Sequence, residues 1–161
     1  MYKHLFIAID DSRTSRKALD EAIALAKVHG AVLEIAHAID EELVHVFHAR
    51  GVTTTNAKQL KHVLESGGEE ILKRAIETAE AAGVKVRTRL LKGHGEHTDD
   101  LIAAAARDSG ADLLVVGSHG RRGVRRLLLG SVAENLVRKV GISVLIVRGR
   151  PDEAEPTEKT A

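Results

Sequence analysis

Residues 112–148 read DLLVVGSHGRRGVRRLLLGSVAENLVRKVGISVLIVR, and the fold can be read outward from them. After a lead-in Asp112, the short apolar run LLVV has the look of a parallel strand buried on both faces. It stops at Gly117. A glycine- and arginine-rich loop follows, from Gly117 to Gly123. Gly130-Ser131 then opens a helical pattern that runs to Lys139, and 142–147 is a second buried strand. A strand that feeds a glycine loop ending at a helix N-terminus is a recipe for binding phosphate. Glycine lets backbone N–H groups approach an anion, and the helix start offers unpaired donors and partial positive charge.

The chain before this stretch repeats the strand–helix alternation. Residues 5–9, LFIAI, predict a first strand, ending in Asp10-Asp11-Ser12, where Asp11 or Ser12 can cap the next helix. Ala18, Ala22, Leu25 and Ala26 give that helix its apolar face, and His29-Gly30 stops it. Residues 31–38 predict the second strand. Residues 40–56 are irregular. A long helix is expected over about 58–82, with Leu60, Val63, Leu64, Ile71, Ala75 and Ala79 as its buried stripe and Gly67-Gly68 as a possible kink. Residues 84–91 predict a strand at a sheet edge. Leu101, Ile102, Ala105 and Ala106 mark one more helix. Five strands and four helices in alternation make an α/β chain with an open, doubly wound, Rossmann-like parallel sheet.

Composition narrows the classes. A chain of 161 residues suits one domain, and with 2% aromatic residues its core has to be aliphatic. A net charge of +1, from 24 basic and 23 acidic residues, argues against a general nucleic-acid binder. The absence of cysteine excludes a disulfide framework and a thiol nucleophile. No stretch has the length and apolarity of a signal peptide or a membrane span, so a cytoplasmic protein with no membrane partner is the expectation. The polar tail 150–161, which holds both prolines, is expected to be disordered.

The glycines are spaced G-x2-G-x9-G-S: Gly117, Gly120, Gly130, Ser131. This is neither a Walker A motif nor a dinucleotide fingerprint. It resembles the nucleotide-binding signature of the universal stress protein family, in its ATP-binding branch. GSHGRRGVRRLLLGSVAENLVRK, the opening strand ending in AIDDS, and DLLVVGS all fit that family, and the resemblance covers residues 1–149. It implies strand order 3-2-1-4-5, an adenine nucleotide ligand (ATP, ADP or AMP) with Mg2+, and a homodimer. In that order the carboxyl ends of strands 1 and 4 flank the crevice at the switch point, so Asp10 and Gly117 would meet there.

For the site, Gly117, Gly120, Gly130, Ser131 and Val132 would form a backbone phosphate cradle; the competing reading is an ordinary turn and helix cap. Substituting valine at Gly120 and Gly130 would block a phosphate and could deny a positive φ. Asp10 resembles the family's nucleoside-contacting acid, against a plain capping role. Ala38 aligns with a strand position whose backbone meets adenine. Arg121 and Arg122 could neutralise phosphate charge, whereas Arg125 and Arg126 read as solvated. His119 could approach a phosphate or be an ordinary solvent-facing histidine. His45/His48 and His94/His97 lack the company of a known zinc site. No Walker-type Asp is available for Mg2+, which would be held mostly by ligand and water.

Three functions remain open: an ATP-binding regulatory protein, a slow ATPase or autophosphorylating protein, and an interaction protein of the same fold without nucleotide. No residue is assigned a catalytic role. Strand 142–147 is apolar and uncharged, an edge that invites two-fold pairing with a second copy.

Overall fold

The computed structural model describes residues 1–39, 54–93, 95–120 and 129–149. They form β1 (His4–Ala8), α1 (Arg13–His29), β2 (Val32–Ala38), α2 (Thr54–Ala81), β3 (Lys85–Leu91), α3 (Thr98–Asp108), β4 (Leu113–Gly117), α4 (Ser131–Lys139) and β5 (Ser143–Val147). All five strands are parallel, in the order β3-β2-β1-β4-β5. The order expected from the family resemblance is the order found. The polar tail and residues 40–53 of the segment expected to be irregular over 40–56 lie outside the described residues, and its last residues, 54–56, belong to α2, which starts earlier than the expected 58.

Alternation along each strand divides the core into two layers. Leu5, Ile7, Leu33, Ile35 and Val115 pack against Ala18, Ala22 and Ala26 of α1 and Leu72, Ala75 and Ala79 of α2. Phe6, Ala36, Leu114 and Val116 pack on Ile102, Ala105 and Ala106 of α3 and Ala133 and Leu136 of α4. The alanine-rich helix faces let the helices lie close to the sheet, and each fully buried Leu, Ile or Phe contributes about 1.5–3 kcal/mol.

Ser12, rather than Asp11, caps α1: its hydroxyl accepts from the Ser15 N–H at 3.1 Å. Gly30, at φ 63°, closes the helix in the left-handed region. The layer opposite α1 is clamped by Lys139, at the end of α4, which reaches Asp99 (2.5 Å) and Asp100 (2.6 Å) in the first turn of α3. Asp112, just before β4, accepts from the Lys3 N–H at 2.8 Å and so fixes the start of β4 beside β1.

Two expectations for α2 are corrected. The helix runs unbroken through Gly67-Gly68. Gly68 instead allows close approach: a Cβ there would sit 2.7 Å from His37 Cδ2 and 2.8 Å from Leu90 Cδ1. Val63 is not in the buried stripe but 64% exposed, because the face that packs on the sheet passes through Gly68, Leu72, Ala75 and Ala79.

The two sheet edges differ in chemistry. β3 carries Lys85, Arg87 and Arg89, charges that discourage pairing with another strand. Arg89 also holds Glu34, 4% exposed, at 2.9 Å, with His4 Nε2 3.2 Å from the same carboxylate. β5, SVLIV, has no charge, and Val137 on the neighbouring α4 is 48% exposed.

Candidate functional site

The sheet order reverses between β1 and β4, and their carboxyl ends open a crevice there. On the β1 side, Asp10 is held from several directions. Its N–H donates to the Ser15 hydroxyl at 2.8 Å, and its Oδ1 accepts from the Ser12 N–H at 3.0 Å. Ile9, just before it, donates to the Ala36 carbonyl (2.8 Å) and accepts from His37 Nδ1 (2.8 Å). Ser15 and His37 are both 4% exposed. With Oδ1 engaged by Ser12, Oδ2 is turned toward the glycine loop.

The β4 side meets it there. A Cβ on Gly120 would lie 2.7 Å from Asp10 Oδ2. The two stretches, far apart in sequence, are therefore in direct contact. Gly117 is tightly placed too, though less so: its Cβ would be 3.1 Å from Thr14 Cγ2 and 3.3 Å from the Thr14 carbonyl carbon. On Gly130 a Cβ would come within 3.0 Å of the Ser118 carbonyl oxygen. None of these three glycines has a positive φ; Gly130 is extended at φ −63°. The expectation that a positive φ requires glycine here is corrected: close approach of backbone and side chains requires it.

Gly130 is the N-cap of α4, and no side-chain hydrogen bond caps the helix. Ser131 and Val132, the first residues of α4, are exposed. The start of α4 thus lies beside Ser118 and His119, the loop residues that lead to Gly120, and a helix N-terminus with uncapped N–H groups suits an anion. Ala38 ends β2 on the same edge of the sheet, half-buried. Arg121, Arg122, Arg125 and Arg126 lie outside the described residues, as do His45, His48 and His94. Among the described residues no group of three or more His, Asp or Glu side chains could hold a metal ion.

His119 differs from an ordinary solvent-facing histidine. Its Nδ1 is hydrogen-bonded to the Ser118 hydroxyl at 2.9 Å, and its Nε2 is buried and has no hydrogen-bond partner among the described residues. Ser118, only 1% exposed, is the joint of the loop. Its N–H donates to the Val147 carbonyl at 2.7 Å, and its carbonyl accepts from the Gly130 N–H at 2.8 Å. Sequence reading passed over Ser118, Ser15 and His37. Ser118 was signalled only by standing between two glycines of the loop; Ser15 and His37 had no signal, since their partners are distant backbone groups or the next turn.

Asp11 faces Arg16 (3.4 Å) and Arg74 (3.9 Å) in a cleft of about 120 Å³ between α1 and α2 that Asp10 and Ser15 also line.

Comparison with known proteins fits this geometry. The family model described as "Universal stress protein family" matches residues 1–148. The chain is 34% identical to the universal stress protein YxiE of Bacillus subtilis, over 92% of this chain and 100% of that protein. Among solved structures it is similar to the protein MJ0577, with a TM-score of 0.81 and 28% identity over 94% of this chain and 99% of that one. A universal stress protein solved in complex with cAMP superposes with a TM-score of 0.65, at 30% identity over 91% of this chain and 97% of that one. Among the described residues no helix is long and apolar enough to cross a membrane.

Proposed function

The chain belongs to the universal stress protein family, and on that premise we propose that it is an ATP-binding regulatory protein of the stress response, acting in the cytoplasm as a homodimer. The observation that carries the reading is the contact of Asp10 with Gly120, in the loop whose Ser118 also holds Gly130 at the start of α4. A carboxylate for the nucleoside and a backbone cradle for phosphate stand together at the switch point of the sheet.

In this reading the backbone N–H groups at Gly120, Ser131 and Val132 receive the phosphates and the Ser131 hydroxyl adds a donor, while Gly117 and Gly130 keep the loop close to the helix start, the Gly130 N–H being held by the Ser118 carbonyl. Asp10 orients the nucleoside, the Ala38 backbone borders the adenine, and His119 and Arg121 meet phosphate charge. ADP or AMP would use the same residues. Adenine is supported by the relative solved with cAMP. The close glycines let the loop, Asp10 and the start of α4 pack together: at each of Gly117, Gly120 and Gly130 a side chain would collide with Thr14, Asp10 or Ser118 and push the parts of the cradle apart. Mg2+, if it accompanies ATP, takes its ligands mostly from phosphate and water. Ligand contacts would add to the bond by which Ser118 ties the cradle to β5, and the uncharged β5 edge would pair with its copy across a two-fold axis.

The test is titration with Mg-ATP of the wild type and of the double variant Gly120→Val/Gly130→Val. Saturable binding by the wild type and none by the variant is expected, with both folded by circular dichroism. Wild-type affinity in the double variant would mean that the loop is not the cradle.

A further inference from the structure

Two histidines at this end of the sheet, His37 buried and His119 half-buried, are held by different partners, an acceptor for one and a hydroxyl, which can donate or accept, for the other. His37 Nδ1 lies 2.8 Å from the Ile9 carbonyl oxygen. A carbonyl only accepts, so that ring carries its proton on Nδ1. His119 Nδ1 lies 2.9 Å from a hydroxyl, that of Ser118, which is 1% exposed. A hydroxyl can donate. When it donates to Nδ1, the neutral ring has its proton on Nε2; when the ring is charged, the hydroxyl turns to accept and Nε2 remains a donor. Among the described residues His119 Nε2 has no partner, and the atom is buried.

We infer that Ser118 is a positioning residue, which sets His119 as an Nε2–H donor for the anionic part of the ligand. The ligand half of this inference rests on the phosphate-cradle reading; the tautomer is a property of the free protein. Ser118 is suited to the task because its backbone is fixed on both sides. Its N–H is bound to Val147, at the end of β5, and its carbonyl to Gly130, the N-cap of α4. The hydroxyl that orients His119 therefore belongs to the same residue that sets the distance between the loop and the helix start. A buried N–H without a partner is costly, and a phosphate oxygen that displaced what covers Nε2 would satisfy it. A carbonyl in place of the hydroxyl would leave a neutral His119 with a lone pair on Nε2, which repels phosphate.

The experiment uses full-length protein with 15N-labelled histidine. Long-range proton–nitrogen spectra, assigned by single His→Asn variants, report which ring nitrogen carries the proton. Without nucleotide, His119 is expected protonated on Nε2 and His37 on Nδ1. In Ser118→Ala, His119 should move to a mixture of tautomers while His37 keeps its pattern, which also shows that the fold survives. Mg-ATP affinity should fall about tenfold in Ser118→Ala. His119→Asn, which lacks a donor at the Nε2 position, should lose as much. His119→Gln, whose amide reaches that position, should retain most of the affinity. A wild-type His119 protonated on Nδ1, or a pattern unchanged in Ser118→Ala, overturns the inference. The expected tautomers in a protein that binds no ATP would instead overturn the phosphate reading, and the ligand half with it.

Discussion

Replacing Gly120 by alanine adds one methyl group at the contact that joins the two halves of the crevice. The new Cβ would stand 2.7 Å from Asp10 Oδ2, about 0.7 Å short of the 3.4 Å at which ordinary contact begins. The backbone of Asp10 cannot retreat easily, because its N–H is bound to Ser15 and Ile9 is bound on both sides. The carboxylate has to rotate, and in rotating it strains the bond from the Ser12 N–H to Oδ1. That loss, at a half-buried site, costs about 1 kcal/mol. Alanine also restricts the unfolded chain, which returns about 0.4–1 kcal/mol. Stability should therefore change by less than about 1 kcal/mol, while the carboxylate and the cradle lose their shared geometry. Mg-ATP affinity should drop at least about tenfold, the equivalent of about 1.4 kcal/mol. Calorimetric titration and urea unfolding of the same samples measure both. Unchanged affinity would refute the claim that Asp10 and Gly120 work as one site. A loss of several kcal/mol in stability would show that the contact is structural.

Neighbouring glycines of α2 should respond with opposite signs. Gly67→Ala meets nothing within 4 Å and should stabilise by about 0.5–1 kcal/mol, whereas Gly68→Ala drives a methyl into His37 and Leu90 and should destabilise by about 1–3 kcal/mol, both by urea unfolding. Proline at Val144 removes a backbone donor from β5, and sedimentation should show monomers or aggregates; an unchanged dimer profile would remove the edge-pairing idea. Hydrogen bonds to Asp100 first, and then to Asp99, raise the pKa of Lys139 above its ordinary 10.5. A raised lysine contributes stability that is full below 10.5 and is lost as pH climbs through the higher, folded value. The melting temperature of the wild type should thus fall more steeply above pH 10.5 than that of Lys139→Gln, and parallel curves would contradict the clamp.

The parts of this fold that were legible in the sequence are those written in local pattern. The apolar runs at β1 and β4 and the alanine faces of α1 and α3 announce a sheet between helix layers, and Gly130-Ser131 announces the start of α4. The meeting of Asp10 with the glycine loop followed from the strand order, which the family resemblance implied. What escaped depends on partners remote in sequence. Gly68 looks like a helix weakener until His37 and Leu90 are seen beneath it. Glu34 looks like a surface charge until His4 and Arg89, on neighbouring strands, enclose its carboxylate. Ser118 acts through Val147 and Gly130, neither of which a local reading connects to it. The glycines of the loop were singled out for the right property, lack of a side chain, but with positive φ as one reason; the structure assigns the requirement to space alone.

The most direct test of the central claim needs no added ligand. Protein purified without nucleotide is denatured, and the small molecules it releases are identified by liquid chromatography and mass spectrometry. The account predicts ATP or ADP at close to one per chain, absent from the Gly120→Val/Gly130→Val variant. An empty wild type that also shows no thermal shift with millimolar Mg-ATP would contradict it and leave an interaction protein of the same fold.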